Sequence, residues 1–554
     1  MSVKFKENVY STVCYGCNFG CGVYMRELLS GEIKDGECSM PILNIDYRKA
    51  SPVNQGKLCR FGVNLAKTYC SEVSKVDGKS VSIDDAVSKA AEILKKADAS
   101  STALLSVGGT TNEEHLAFMK IGEKLGLPVS TGMTGLFKDI GKLHAYTGRG
   151  TTYEEIESAS KIYLFVDPYV QYPLLVRRLV HAKEKGAEIV SFGVKELPIA
   201  TKNVFADFGI SLYEVPEFAP DADTVIISDL TPYTYAKRLA EITEIAGGKS
   251  KLLFMRPFMN STGAGYLSKH TKQKSFDDII SKIETGDLKN LVCLDSDLID
   301  ICLNESIRES LKNLEHLIVF TSRKTAICDA ADVVIATEPF YKKQGSVMNA
   351  EGRLIQTSAA AGTAPLTGVT VLSALSQALG GSAFDFDALH AEAVEKIGAL
   401  EDEYKVASPK AKSADGISKI SGKLPDLKTL YDTSGPDSFV SAASEDDEIR
   451  TAATHVYLTT PFLWNGIADE DNYIEISRGH VKSSALLKGF TADVTCSCGE
   501  IIKATRFKVV PMADGYILST RKQPFAKAPV TDVTVKRSPT KPKNLETDSC
   551  NIYK

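Results

Sequence analysis

Six of the twelve cysteines fall within the first seventy residues, three of them spaced as Cys14-x2-Cys17-x3-Cys21. Cys59 follows well along the chain, and after Cys70 no cysteine occurs until Cys293. A cubane iron–sulfur cluster needs four thiolates converging on its corners. Three close ligands on one looping segment, closed by a distant fourth, supply that arrangement. Gly16, Gly20 and Gly22 let the intervening backbone turn tightly. Structural zinc is the alternative, but it usually shows two separate close pairs of ligands. The pattern therefore predicts a [4Fe-4S] cluster on Cys14, Cys17, Cys21 and Cys59, with Cys38 and Cys70 as incidental thiols. A long chain with this cysteine usage argues for cytosolic thiol or metal chemistry over a secreted disulfide framework.

Composition removes several function classes. The 65 basic and 70 acidic side chains of the 554-residue chain leave a net charge of −5, without the basic footprint of a nucleic-acid binder or a polybasic membrane surface. No apolar run approaches the roughly 18 residues of a membrane span. Residues 1–10 hold Lys4, Lys6 and Glu7 and no apolar core, so no secretion signal is expected and the location expected is cytoplasmic. Neither a phosphate-binding Walker loop nor GxGxxG after a strand is present. A zinc helix of the His-Glu-x-x-His type and a Gly-x-Ser-x-Gly nucleophile elbow are absent too.

The middle of the chain alternates short apolar runs with helical patterns. Strands are expected at Thr102–Val107, Lys161–Val166, Ala187–Phe192, Thr224–Ser228, Lys251–Arg256, Asn290–Leu294, Leu317–Phe320 and Asp332–Ala336. Helices are expected at Asn112–Gly126, Pro173–Gly186, Tyr235–Ala246 and Phe276–Glu284. In the first of these, Glu113, Glu114 and Lys120 stand among Leu116, Met119 and Leu125, leaving one apolar face for a sheet. Such alternation implies an α/β fold with doubly wound parallel-sheet layers, whose ligands sit at the carboxyl ends of the strands. The expected organisation is an iron–sulfur module over 1–75, a doubly wound core over 76–400, a polar linker over 401–454, a small β-rich domain over 455–525 and an extended tail over 526–554.

The cysteine module together with Asn54-Gln55-Gly56-Lys57-Leu58-Cys59 resembles the molybdopterin oxidoreductase superfamily. Formate and formylmethanofuran dehydrogenases belong to it, as does the large iron–sulfur subunit of respiratory complex I. Ala159 to Pro168 followed by Tyr172-Pro173 is similar to the family's first dinucleotide-side loop. The most specific match is Cys328-Asp329-Ala330-Ala331-Asp332, followed by Gln344 to Arg353. Tyr473 to Ile476, Lys488-Gly489 and Gly499-Glu500 resemble a shortened form of the family's C-terminal β-domain. The resemblance implies molybdenum or tungsten on two pterins, one cubane relaying electrons, and iron–sulfur or flavin partner subunits. It nominates Asn349, Glu351 and Arg353 for holding the pterin cofactor.

Three positions depart from the family pattern. No cysteine accompanies the expected metal-ligand loop, which offers Ser130, Asp139 and His144. Gly193-Val194-Lys195 replaces the usual Asp-Pro-Arg after the strand at Ala187–Phe192. Phe61, beside Arg60, replaces the lysine that bridges cluster and pterin. Two readings follow. The first is an electron-relaying iron–sulfur subunit of a multisubunit redox complex, its own metallopterin site lost. The second is a catalytic subunit acting on a one-carbon acid of the formate or formylmethanofuran type.

Overall fold

A computed structural model describes residues 7–28, 43–132, 151–206, 210–231, 236–246, 249–302, 306–357, 368–397, 404–405, 454–458, 473–483, 486, 491–496, 501–519 and 530–538. The N-terminal module is an antiparallel sheet of β1 (Glu7–Val13), β2 (Gly22–Leu28) and β3 (Leu43–Tyr47). The β1–β2 register pairs Val13 with Gly22, so residues 14–21 form the hairpin loop. Helix α1 (Arg60–Thr68) starts directly after Cys59, its N-cap, and turns Phe61, Gly62 and Leu65 inward.

Two parallel sheets form the centre, as the alternating pattern requires. The larger has seven strands. Its parallel core runs in the order β15 (Val333–Ala336), β14 (His316–Thr321), β13 (Asn290–Leu294), β6 (Thr102–Leu105) and β7 (Val129–Ser130). The hairpin β4 (Lys75–Val76) and β5 (Lys79–Ser80) extends it antiparallel. Asp77 and Gly78, both at positive φ, make its turn, an Asp-Gly pair suited to such a two-residue loop. Helices α2 (Ile83–Lys96) and α3 (Asn112–Leu125) pack on one face. All five residues of β13 are buried, as expected for a strand covered on both sides.

The second sheet has five parallel strands in the order β10 (Lys202–Phe205), β9 (Glu188–Gly193), β8 (Lys161–Leu164), β11 (Thr224–Asp229) and β12 (Lys251–Met255). Helices α4 (Tyr153–Ser158) and α5 (Pro173–Glu184) cover one face and share a core with the N-terminal module. In sequence this whole layer is inserted between β7 and β13 of the larger sheet. The hairpin β16 (Gly345–Met348) and β17 (Leu354–Thr357) follows. Most of the expected linker 401–454 lies outside the described residues; within it β18 (Tyr404–Lys405) pairs parallel with β17.

The C-terminal β-domain is a closed barrel of β19 (Thr454–Leu458), β20 (Tyr473–Ile476), β21 (Ala492–Cys496), β22 (Ile501–Val509), β23 (Tyr516–Ser519) and β24 (Val530–Arg537), in the order β19-β23-β20-β22-β21-β24. The expected extended tail thus contributes a strand. β24 pairs with both β19 and β21, and its alternating Val533 and Val535 are buried in the barrel core. Among the described residues, no helix is long and apolar enough to cross a membrane.

Candidate metal centre

The hairpin loop is built to gather thiols. Cys14 N–H donates to the Cys21 carbonyl at 2.8 Å, closing the loop at its base, and Gly20 turns at φ 86°. Gly16 N–H points at Cys14 Sγ across 3.4 Å, Phe19 N–H at the Cys17 thiol, and Cys21 N–H at its own sulfur. Such donors favour sulfur in its charged, metal-binding form. Cys59 comes up beside them at the start of α1, where helix backbone amides also favour negative charge.

Burial pushes the Cys17 thiol up to about 12, and the charge of a neighbouring Cys59 adds to it. Cys17 is partly exposed as a residue while its sulfur is enclosed. Burial also raises Cys14 and Cys21 well above the ordinary thiol value, with the other three thiols as the next cause for Cys21. The four predicted ligands are therefore brought within electrostatic reach of one another, in a setting that opposes ionisation of Cys14, Cys17 and Cys21 without a metal cation. Among the described residues no three His, Cys, Asp or Glu side chains are disposed to hold a single ion. The donor set, three thiols on a loop lined with N–H groups and a fourth at the start of α1, fits a cubane.

Behind the loop stand the other nominated residues. Asn349 Nδ2 donates to the Phe19 carbonyl at 3.2 Å and to Glu351 Oε1 at 3.1 Å, while its Oδ1 accepts Arg353 N–H at 2.9 Å. Ala350 N–H donates to the Asn18 carbonyl at 2.8 Å. Glu351 accepts Tyr153 N–H at 2.9 Å and pairs with Arg353 Nε at 2.9 Å. Burial foremost raises the Glu351 carboxyl, and Arg353 works against that rise. All three side chains are buried.

Sequence reasoning missed two residues that carry the same junction. Asn18 donates to the Met259 and Met348 carbonyls and accepts Thr262 Oγ1–H at 2.7 Å, pinning the loop to the hairpin β16–β17. Tyr153 donates to the Phe19 carbonyl at 2.9 Å and stacks on the Phe19 ring with centroids 4.3 Å apart. The available signal was an asparagine lodged between two ligand cysteines, a polar residue in a segment otherwise given to metal binding.

Residues 7–69, the hairpin, β3 and α1, match the model of the molybdopterin oxidoreductase Fe4S4 domain. The F420-dependent formate dehydrogenase 1 subunit alpha of Methanococcus maripaludis is 26% identical over 213 residues, 34% of this chain and 29% of that subunit. An NADH-quinone oxidoreductase subunit of Yersinia pestis is 27% identical over 79 residues, 14% of this chain and 9% of that one. The N-terminal module thus matches that iron–sulfur domain, and the chain is similar to members of the molybdopterin oxidoreductase superfamily. Its match spans less than a third of the length of the formate dehydrogenase subunit. Acetylene hydratase from Pelobacter acetylenicus has a similar fold across 94% of both chains, with a TM-score of 0.59 at 12% identity.

The three positions that depart from the expected pattern have definite structural roles. Phe61 is buried against the cluster loop: its ring meets Tyr15 edge-on at 5.3 Å, and a Cβ on Gly16 would lie 2.4 Å from it. An apolar ring thus stands where the resemblance leads one to expect a bridging lysine. Lys195, just past the carboxyl end of β9, pairs with Asp167 at 3.1 Å and with Glu475 of β20 at 2.7 Å. Burial works against its ammonium, but the two carboxylates outweigh that and hold it charged. Backbone bonds from Glu196 to Pro511 and from Ala513 to Val194 fasten the same segment to the barrel. Ser130 is buried at the end of β7, its hydroxyl accepting Gly132 N–H at 3.2 Å. Asp139 and His144 lie outside the described residues.

Proposed function

We propose that this protein relays electrons through one [4Fe-4S] cluster on Cys14, Cys17, Cys21 and Cys59, as an iron–sulfur subunit of a multisubunit redox complex that has lost its own metallopterin site. The approach of Cys59, at the start of α1, to the three thiols of the N–H-lined hairpin carries the reading. A cubane bound there would supply reversible one-electron transfer. The chain's own residues hold it. Asn18, Asn349 and Tyr153 fix the loop from behind, Phe61 packs against Gly16, and Cys17 and Cys59 remain partly exposed.

The positions on the pterin side do not fit that cofactor. Phe61 offers no charge, Lys195 is already neutralised by Asp167 and Glu475, and Ser130 is no thiolate. No step is therefore routed through a pterin. Metal analysis of the anaerobically purified protein tests this: about four irons per chain are expected, with neither molybdenum, tungsten nor pterin. Cys17→Ser should abolish the visible absorption of the cluster. Stoichiometric zinc without iron would sink the relay reading. One molybdenum or tungsten per chain would replace it with the catalytic reading, a one-carbon acid as substrate and Asn349, Glu351 and Arg353 as first candidates at the cofactor.

A further inference from the structure

Between Tyr47 and Ser71 the chain carries Arg48, Lys49, Lys57, Arg60 and Lys67 and no acidic residue, although the whole chain is net negative at −5. Arg48 points inward and is buried, its Nη1 donating to Ser11 at 2.7 Å. The other four are exposed. They flank Cys59, which with Cys17 is one of the two partly exposed ligands of the metal centre. Lys57 lies two residues before Cys59, and Gly56 packs directly on the backbone of Lys49. Arg60, Val63 and Lys67 follow at i, i+3 and i+7, which places them on one stripe of α1, opposite the buried Phe61 and Leu65. Val63 remains 38% exposed and gives the stripe an apolar centre.

The flanks continue the sign. Arg177 reaches across from α5 to Gln55 at 2.8 Å, and exposed Lys324 stands where its N–H meets the Cys70 carbonyl at 2.8 Å. The bordering carboxylates are already engaged: Asp46 with Arg26 at 2.8 Å and Glu72 with Lys75 at 2.9 Å. A positive field with a small apolar middle, centred on an electron-transfer ligand, selects an acidic partner by steering its approach.

We propose that the outer face of α1 and the loop leading into Cys59 dock an acidic iron–sulfur electron-transfer protein. The proposal rests on the relay reading above. A cubane held by Cys14, Cys17, Cys21 and Cys59 would accept the one electron that the partner's reduced cluster gives up, with no bond formed or broken.

The test uses the full-length, cluster-loaded protein and two electron donors. One is a reduced acidic bacterial ferredoxin and the other photoreduced deazariboflavin, a small neutral donor. Stopped-flow reduction by the ferredoxin should slow as salt rises. In K49E/K57E/K67E it should fall by roughly tenfold or more, within the range of electrostatic steering. Reduction by the neutral donor should be equal in both proteins. Arg60 is left in place because a charge change beside Cys59 would alter the cluster potential itself. The variant K49R/K57R/K67R keeps the charge and should retain the wild-type rate. If the neutral donor reduces the cluster while the ferredoxin rate ignores both salt and charge reversal, the docking face is overturned and the relay reading stands. A cluster that no donor reduces overturns the relay reading, and the docking face falls with it.

Discussion

At the scale of single residues, the tightest fit in the molecule's N-terminal module is glycine against ring. Gly16 lies between two ligand cysteines with the Phe61 ring 2.4 Å from where a Cβ would be. Gly16→Ala must therefore displace Phe61 or the loop, at a cost of about 1–3 kcal/mol for overpacking. Urea unfolding should show that loss, and adding Phe61→Leu should recover part of it; equal stability of Gly16→Ala and wild type would refute the packing. Asn349 is a second such position. Asn349→Ala leaves the Phe19 carbonyl with Tyr153 alone among its two side-chain donors and removes the acceptor of Arg353 N–H. A loss of about 1–3 kcal/mol is expected for unmaking these buried bonds, together with faster iron release to a chelator. The cysteine spacing alone was enough to nominate the ligands. The residues that seat them were not legible, because Asn18, Tyr153 and Asn349 come from three distant parts of the chain.

At the scale of elements, α3 behaves unlike its sequence. Its charged positions Glu113 and Glu114 read as an outward face, yet the whole first turn is buried, from Asn112 to His115. The reason is tertiary: Ser346 and His390 donate to Glu113, and fully buried Lys343 pairs with Glu114 at 2.5 Å and Asp295 at 2.7 Å. Lys343→Met would strand two buried carboxylates, so a loss of about 3–5 kcal/mol is expected by denaturant titration. His115, held between Ser106 and Ser268 at 2.9 and 3.0 Å, adds a pH dependence. Burial depresses its pKa from 6.5 to about 4, so below pH 6.5 the unfolded chain binds the extra proton. Stability from this group is thus full above pH 6.5 and falls as pH drops toward 4, by on the order of 3 kcal/mol in all. His115→Gln should be less stable at pH 7 and lose less between pH 6.5 and 4; parallel profiles for variant and wild type would count against it.

At the scale of the whole molecule, β24 decides whether the barrel is a barrel. It closes the ring by pairing with β19 on one side and β21 on the other. A chain ending at residue 525 would leave two open strand edges around Ile474, Ile476, Val494 and Ile517, the barrel's apolar core. Limited proteolysis should then cut within residues 454–519 far faster than in the full chain. An unchanged digestion pattern would show that the last strand is dispensable. The barrel also reports on the larger assembly, since Glu475 reaches Lys195 and so ties it to the five-stranded sheet.

What the chain determines locally is the set of elements and the identity of the thiols. Apolar runs of four to six residues and capped amphipathic helices are written in adjacent positions, so the strands from Thr102 to Ala336, apart from β7 and β10, and the cysteine loop could be read directly. Assignment of strands to sheets could not. The central parallel strands are buried on both faces, and nothing in Thr102–Leu105 distinguishes Asn290–Leu294 as its neighbour from Lys161–Leu164, which comes first in the chain. That choice, which inserts one sheet into the other, was made by packing across more than 180 residues of sequence, as the Thr102–Asn290 pairing shows. The same holds for the tail. Val530–Arg537 carries three polar or charged residues between its alternating valines and becomes a strand because two open edges of a barrel need it. Backbone amides buried without partners are costly, and only the closed tertiary structure could supply theirs.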